Sequence, residues 1–202
     1  ELMKIKVDKP FVFSVPSGNF GNICAGFIAR ELGLPISHFI ASTNQNDTFP
    51  RYMENGIFEP KPSVQTISNA MDVGNPSNFD RISKLFNQDL YRLKNICSSY
   101  RFSDEETHKA MQELFENTSY IADPHGAIGY LGLQKYCEEN PDIYGVFLET
   151  AHPVKFLDVV EKAIKTKVNI PPQIEEILDR NAEKTSISSY REFKNFLIDN
   201  AI

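Results

Sequence analysis

Phe11-Val12-Phe13-Ser14-Val15-Pro16-Ser17-Gly18-Asn19-Phe20-Gly21-Asn22 is the stretch on which the fold turns. Phe11 to Val15 is a short β-favouring run bounded by Pro10 and Pro16, which reads as a buried strand. Pro16 to Asn22 is rich in turn formers. From Ile23 to Leu32 the apolar spacing becomes helical, with Ile23, Phe27 and Ile28 on one expected face and Leu32 beyond. Gly33 is placed to terminate that helix and Pro35 blocks its continuation. His38-Phe39-Ile40-Ala41 reads as the next strand. Strand, tight loop, helix and strand make one βαβ unit, whose strands run parallel with a right-handed crossover.

Outward from this unit, Thr43 to Pro76 is rich in Asn, Pro and Ser, with one short helix expected near Pro50 to Glu54. An irregular polar insertion of this kind (about 43–78) inside a domain is more often functional than idle. Phe79 to Phe86 and Asp89 to Cys97 read as helices. Ser103-Asp104-Glu105-Glu106 fits a capping box opening a helix to about Asn117. Tyr120-Ile121-Ala122 is expected as a short strand, and Pro124 to Tyr136 as a helix tolerant of small residues. Tyr144 to Leu148 is the last apolar strand, ended by Glu149-Thr150-Ala151-His152-Pro153. Helices follow at Val154 to Lys165, from Gln173 behind Pro171-Pro172, and near Ser189 to Ile198. The fold class is therefore α/β, a mainly parallel sheet flanked by helices. Residues 1–166 are expected as one domain and 167–202 as C-terminal helices.

Composition bounds the function. With 41% hydrophobic and 24% charged residues the chain can build a core. Its net charge of -6 argues against nucleic acid, which wants a basic face. An anionic small molecule remains compatible, because local backbone dipoles bind anions despite an acidic total. The three cysteines, Cys24, Cys97 and Cys137, form no zinc-like spacing and no disulfide framework; they read as small buried hydrophobes in a reducing cytoplasm. No metal site, membrane span or leader is read. Lys4-Ile5-Lys6-Val7-Asp8-Lys9-Pro10 runs straight into an interior strand, which predicts a fragment of a longer protein.

Ser17 to Asn22 carries the chemistry. Between a strand and a helix, successive backbone N–H groups lack intrahelical partners. Glycines let backbone approach a ligand without a Cβ in the way. The helix dipole adds about half a positive charge there. Ser17, Asn19 and Asn22 offer side-chain donors. Such an arrangement can cradle a phosphate. The same residues also suit a strand-to-helix turn with two glycines for geometry, and both readings stand. It is neither a Walker loop nor a GxGxxG fingerprint.

Five blocks then carry a resemblance: Val15 to Asn22; Ser42-Thr43-Asn44-Gln45-Asn46-Asp47-Thr48-Phe49-Pro50-Arg51; Ser68-Asn69-Ala70-Met71-Asp72-Val73-Gly74-Asn75-Pro76-Ser77-Asn78; Asp123-Pro124-His125-Gly126-Ala127; and Thr150-Ala151-His152-Pro153-Val154-Lys155-Phe156. In this order they resemble the threonine synthases of the bacterial and fungal type, over roughly Phe11 to Phe156. The resemblance implies part of the large domain of a fold type II pyridoxal-phosphate (PLP) enzyme. It implies a lyase of threonine biosynthesis that converts O-phospho-L-homoserine and water to L-threonine and phosphate. By motif match, Gly18, Asn19, Phe20, Gly21 and Asn22 would hold the cofactor phosphate and Thr150 would face the pyridine nitrogen. Without the motif, Thr150 by itself reads as an ordinary strand-end threonine; the motif reverses that preference.

Asn46, Asp47, Arg51, Ser68 and Asn69 are the substrate-side candidates, against an alternative of loop capping and surface charge. His125 and His152 read as capping or packing residues beside prolines. No catalytic residue is assigned. The family's Schiff-base lysine lies upstream of the glycine–asparagine loop, and Lys4, Lys6 and Lys9 lack its motif. The chain is therefore expected to be inactive without the missing N-terminal part of the same protein, its expected partner. Two other readings remain: another fold type II PLP enzyme (a β-replacing synthase or dehydratase), or a non-catalytic phosphometabolite-binding module.

Overall fold

β1 (Phe11–Pro16), β2 (His38–Thr43), β3 (Cys97–Arg101) and β4 (Tyr144–Phe147) pair entirely in parallel, in the order β3-β2-β1-β4. The computed structural model in which they are seen describes residues 8–178, 180 and 184–200, so Lys4 to Val7 lie outside the described residues. Register places Pro16 opposite Ser42, Thr43 opposite Arg101 and Ser14 opposite Phe147. All four strands therefore end along one edge of the sheet. From β1 the chain steps outward to β2 and β3, then returns to place β4 on the other side of β1. This reversal between β1 and β4 is the position where open α/β sheets leave a crevice for a ligand.

Alternation along the strands assigns two faces. Val15, Phe39 and Ala41 are buried in an apolar cluster, with Phe13 packed against it. The same cluster holds buried residues of α1 (Gly21–Glu31), α2 (Thr48–Asn55) and α3 (Phe79–Leu85). Phe27 is fully buried at its centre, edge-on to Phe39 at 5.0 Å and to Phe86 at 5.3 Å. Phe27→Ala should cost about 3–5 kcal/mol, read as a lower denaturant midpoint. Ser14 and Ser42 point the other way, their hydroxyls 3.0 Å apart, and Ser14 donates to Gly129 O at 2.6 Å. There α6 (Pro124–Glu139) lies on β1, β2 and β4 through a face of small residues, backed by α5 (Asp104–Thr118) and α7 (Leu157–Ile164). This explains why the sequence of α6 tolerates so much glycine.

Three expectations change. Asp89 to Cys97 is not one helix: α4 covers only Leu90–Lys94, capped by Asp89, and Cys97 to Arg101 forms β3. β3 is an edge strand of mostly polar residues, held by its ladder to β2 rather than by apolar alternation. Tyr120 to Ala122 is irregular rather than a strand, with Ala122 buried in a cluster drawn from α5, α6 and α7. On α1 the buried set is Ile23, Cys24 and Phe27, whereas Ile28 is 47% and Leu32 83% exposed. The anticipated capping box is present: Ser103 Oγ accepts from Glu106 N, and Glu106 Oε2 accepts from Ser103 N.

One compact unit closes at Val168 and a second begins at Asn169. The second contains α8 (Pro172–Leu178) and α9 (Tyr190–Asp199), the latter capped by Ser189.

Candidate functional site

The loop leaving β1 is tied down on both sides. Ser17 N donates to Ser42 O at 2.9 Å, extending the β1–β2 ladder. Phe20 takes the left-handed conformation (φ 61°, ψ 16°), which costs a residue with a Cβ about 1–2 kcal/mol. Burial supports that cost, because the Phe20 ring is 2% exposed and lies 4.5 Å from the Phe49 ring. A left-handed residue in such a run turns successive N–H groups toward a shared concavity. Among the described residues, none accepts a hydrogen bond from the backbone N–H of Gly18, Asn19, Phe20, Gly21 or Asn22. Five consecutive donors thus stand at the positive end of an eleven-residue helix.

The side chains expected as donors mostly do other work. Ser17 Oγ donates to Val15 O and to Asn22 Oδ1, and Asn22 Nδ2 donates to Pro16 O at 2.8 Å. Asn19 Oδ1 accepts from Ser77 N and Ser77 Oγ, while Asn78 Nδ2 donates to Asn19 O. Asn19 and Asn22 therefore shape the cradle. Gly18 also has a packing reason: a Cβ there would sit 2.6 Å from Met71 Cα, against backbone. Gly21 is exposed and meets nothing closer than Asn78 Nδ2 at 3.4 Å.

Thr150 is exposed just beyond β4, where Leu148 N donates to Ser14 O at 3.0 Å. It therefore lies at the same sheet edge as the loop, beside the reversal between β1 and β4.

The polar insertion is organised around Asn44, which is 1% exposed. Its Nδ2 lies 2.9 Å from Thr66 Oγ1, 3.1 Å from Ser68 Oγ and 2.9 Å from Asp72 Oδ1. Its Oδ1 accepts from Asn46 N and Asn46 Nδ2, both at 3.0 Å. Asn46 also bridges the Val64 backbone, and the fully buried Ser68 bonds Thr66. Arg51 is held by Asp47 at 2.9 Å, by Glu59 Oε2 at 3.1 Å and by Glu59 O at 2.8 Å. Burial would raise the Asp47 carboxyl, but hydrogen bonds and charge from Arg51 and Arg101 outweigh it and hold it below the usual range. Asn69 differs from the other four: its side chain is exposed and has no partner among the described residues.

Comparison with known proteins agrees with this architecture. A family model described as "Pyridoxal-phosphate dependent enzyme" matches residues 1–146, and one described as "Threonine synthase, C-terminal" matches 126–197. The threonine synthase of Buchnera aphidicola subsp. Acyrthosiphon pisum is 43% identical over 195 residues, covering 95% of the chain. The chain belongs to the threonine synthase branch of the pyridoxal-phosphate-dependent enzymes. It spans 44% of the length of that Buchnera relative. The crystal structure of threonine synthase from Escherichia coli superposes with a TM-score of 0.84 at 38% identity, over 95% of this chain and 44% of that one. The PLP-bound threonine synthase from Brucella melitensis gives a TM-score of 0.81 at 28% identity, over 95% of this chain and 46% of that one. The fold is thus that of the fold type II enzymes.

Within this threonine synthase frame the sequence reading passed over three residues. Ser77 and Asn78, which clamp Asn19, lie inside a quoted block but were given no role. Glu149 follows β4 and reaches Asp123, well apart in the chain; no local pattern pairs them. His152 does cap the turn that follows, its Nδ1 accepting from Val154 N at 3.1 Å. Buried Cys97 has its thiol pushed up to about 12, which suits packing and not attack.

Proposed function

We propose that this chain supplies the phosphate-binding loop and ring-facing hydroxyl of a threonine synthase, which converts O-phospho-L-homoserine and water to L-threonine and phosphate with PLP. The observation that carries this is the meeting of five unpartnered backbone N–H groups with Thr150 at the β1–β4 reversal. The donor set suits a phosphate dianion: uncharged N–H groups at a helix N-terminus bind it without a basic side chain. The bound cofactor supplies an electron sink. Gly18 to Asn22 would hold its phosphate and orient its ring, and the Thr150 hydroxyl would meet the pyridine nitrogen. A neutral hydroxyl leaves that nitrogen less basic than a carboxylate would.

Of the substrate-side candidates, Asn69 is the one whose side chain is free to reach a ligand. Asn46, Asp47, Arg51 and Ser68 hold the loops that present it. The amine that carries the cofactor is not assigned to Lys4, Lys6 or Lys9, so these 202 residues on their own should form no threonine from phosphohomoserine. Threonine and phosphate released by the purified chain would overturn that part.

The binding part is tested by titrating labelled chain with pyridoxine 5′-phosphate, which has no aldehyde to react with surface lysines. Saturable amide shifts at Gly18 to Asn22 and at Thr150 are expected. A dispersed, folded spectrum with no shift at either place would sink the assignment of these residues.

A further inference from the structure

Where β4 ends, buried Asp123 and His125 meet half-buried Glu149, and carboxyl oxygens outnumber the donors turned to them. Asp123 is wholly buried and caps α6: its Oδ1 accepts from His125 N at 2.8 Å and lies 2.5 Å from His125 Nδ1. Both donors fall on one oxygen. Asp123 Oδ2, Glu149 Oε1 and His125 Nε2 are buried, and none has a hydrogen-bond partner among the described residues. The first turn of α6 brings the two carboxyls together, since Asp123 caps it and the Glu149 carboxyl lies against Gly126, and each acts on the protonation of the other. Two bare carboxylates held together with an oxygen of each shut off from water repel, whereas one proton placed between them satisfies both oxygens. The contact is built in closely. The Glu149 carboxyl lies over the first turn of α6, where a Cβ on Gly126 would overlap it.

We propose that Asp123 and Glu149 share a single proton, forming an acid–carboxylate clamp that positions the strand-end segment carrying Thr150 on the N-terminus of α6. Glu149 is the neighbour of Thr150 in the chain. The Leu148 N to Ser14 O bond and the packing of Leu148 on the apolar cluster hold the segment on one side, and the Glu149 side chain adds a tie to the start of α6. The ionisable groups facing the pair are few. His125 meets Asp123 from its own helix, and Tyr120, on the segment before α6, feels both carboxyls. Phe156 closes the far side, its ring 4.8 Å from that of His125. Among the described residues no three His, Cys, Asp or Glu side chains are placed to hold a metal ion.

Charge distribution follows the same geometry. Burial, then the hydrogen bond and charge of Asp123, push Glu149 up to about 9, while the Asp123 backbone N–H pulls the other way. Burial would also raise Asp123, but His125 and the Glu149 hydrogen bond outweigh it and keep Asp123 low. The pair thus keeps one proton where two separate carboxylates would keep none, with Glu149 as the member pushed up. Since an unfolded glutamate ionises at about 4.3, the folded chain binds more protons than the unfolded one above that value. Stability then falls as pH rises from there toward about 9, where the folded Glu149 loses its proton.

The test uses the chain without ligand, so it stands or falls apart from the cofactor assignment; only the bearing of the clamp on the Thr150–ring contact rests on that reading. The Glu149 side-chain carboxyl carbon, followed by NMR, should titrate several pH units above an ordinary glutamate, and the Thr150 amide should move with the same midpoint. Glu149→Gln imitates the protonated form: its amide can donate to Asp123 Oδ2 at any pH. The variant should match the parent chain's unfolding midpoint near pH ~5 and exceed it increasingly toward pH ~9, with a Thr150 amide that no longer titrates. If the variant does not fold, the parent's Glu149 titration decides alone. A Glu149 midpoint at the ordinary value, parallel stability profiles, or a Thr150 amide indifferent to the Glu149 titration would overturn the clamp.

Discussion

Asn44→Ala is expected to loosen the whole polar insertion and to cost about 1–3 kcal/mol. The side chain is 1% exposed and sits among buried Asn46, Thr66 and Ser68 and half-buried Asp72. Its removal takes the acceptor from Asn46 N and Asn46 Nδ2, and a donor from Thr66, Ser68 and Asp72. An amide has only two hydrogens, so Asn44 Nδ2 cannot serve all three acceptors fully at once. The remainder is shared: Thr66 Oγ1 donates to Asp72 Oδ1 at 2.7 Å, and Thr66 N to Asp72 Oδ2 at 3.0 Å. Each buried group left without a partner costs about 1–3 kcal/mol; Asn46 N is left so, while Asn46 Nδ2, Thr66, Ser68 and Asp72 keep other partners but lose the group that joins them. Asn69→Ala, on the exposed turn beside it, should change stability by no more than about 0.5 kcal/mol. Denaturant midpoints of the two variants, with hydrogen exchange across residues 64–74, decide the matter. Equal midpoints, or unchanged protection of that segment in Asn44→Ala, would mean the network does not hold the insertion.

This contrast marks where sequence reading stops. The βαβ core was legible because its signals are local: apolar runs set off by Pro10, Pro16, Gly33 and Pro35. The capping box at Ser103 and Glu106 was legible for the same reason. β3 was not, because Cys97-Ser98-Ser99-Tyr100-Arg101 is a strand by virtue of the partner it pairs with, and pairing is not written in the segment itself. The five blocks located the loop and the insertion, yet not the division of labour inside them. Asn46 and Ser68 look like ligand-binding residues on paper and prove to be internal partners of Asn44. Arg51, placed to grip an anionic substrate, already has its guanidinium filled by Asp47 and Glu59. What separates such residues from Asn69 is where the side chain points, which only the folded contacts decide. Glu149 and Asp123 lay beyond reach for a further reason, since a shared proton requires two carboxyls brought together from separate elements.

Gly18→Ala should combine two losses that a second variant can separate. A Cβ at Gly18 would lie 2.6 Å from Met71 Cα and 3.0 Å from Met71 O. Because that neighbour is backbone rather than a flexible side-chain tip, either the β1–α1 loop or the turn at residues 69–71 must shift. Overpacking of this sort costs about 1–3 kcal/mol, read as a lower unfolding midpoint. A shifted loop no longer aims its five N–H groups together, so binding of pyridoxine 5′-phosphate should weaken at least about tenfold, or 1.4 kcal/mol. Gly21→Ala probes the same cradle without that clash. Gly21 is exposed, and an added Cβ there would meet only Asn78 Nδ2 at 3.4 Å. At the start of a helix the substitution should leave stability unchanged or raise it by about 0.4–1 kcal/mol. If a phosphate lies against this backbone, the new methyl group stands in its way and affinity falls although the fold is intact. Weak binding by both variants, with only Gly18→Ala destabilised, is the expected pattern. Binding by Gly21→Ala at the parent's affinity would place the anion away from the helix N-terminus and leave the two glycines with packing as their whole explanation.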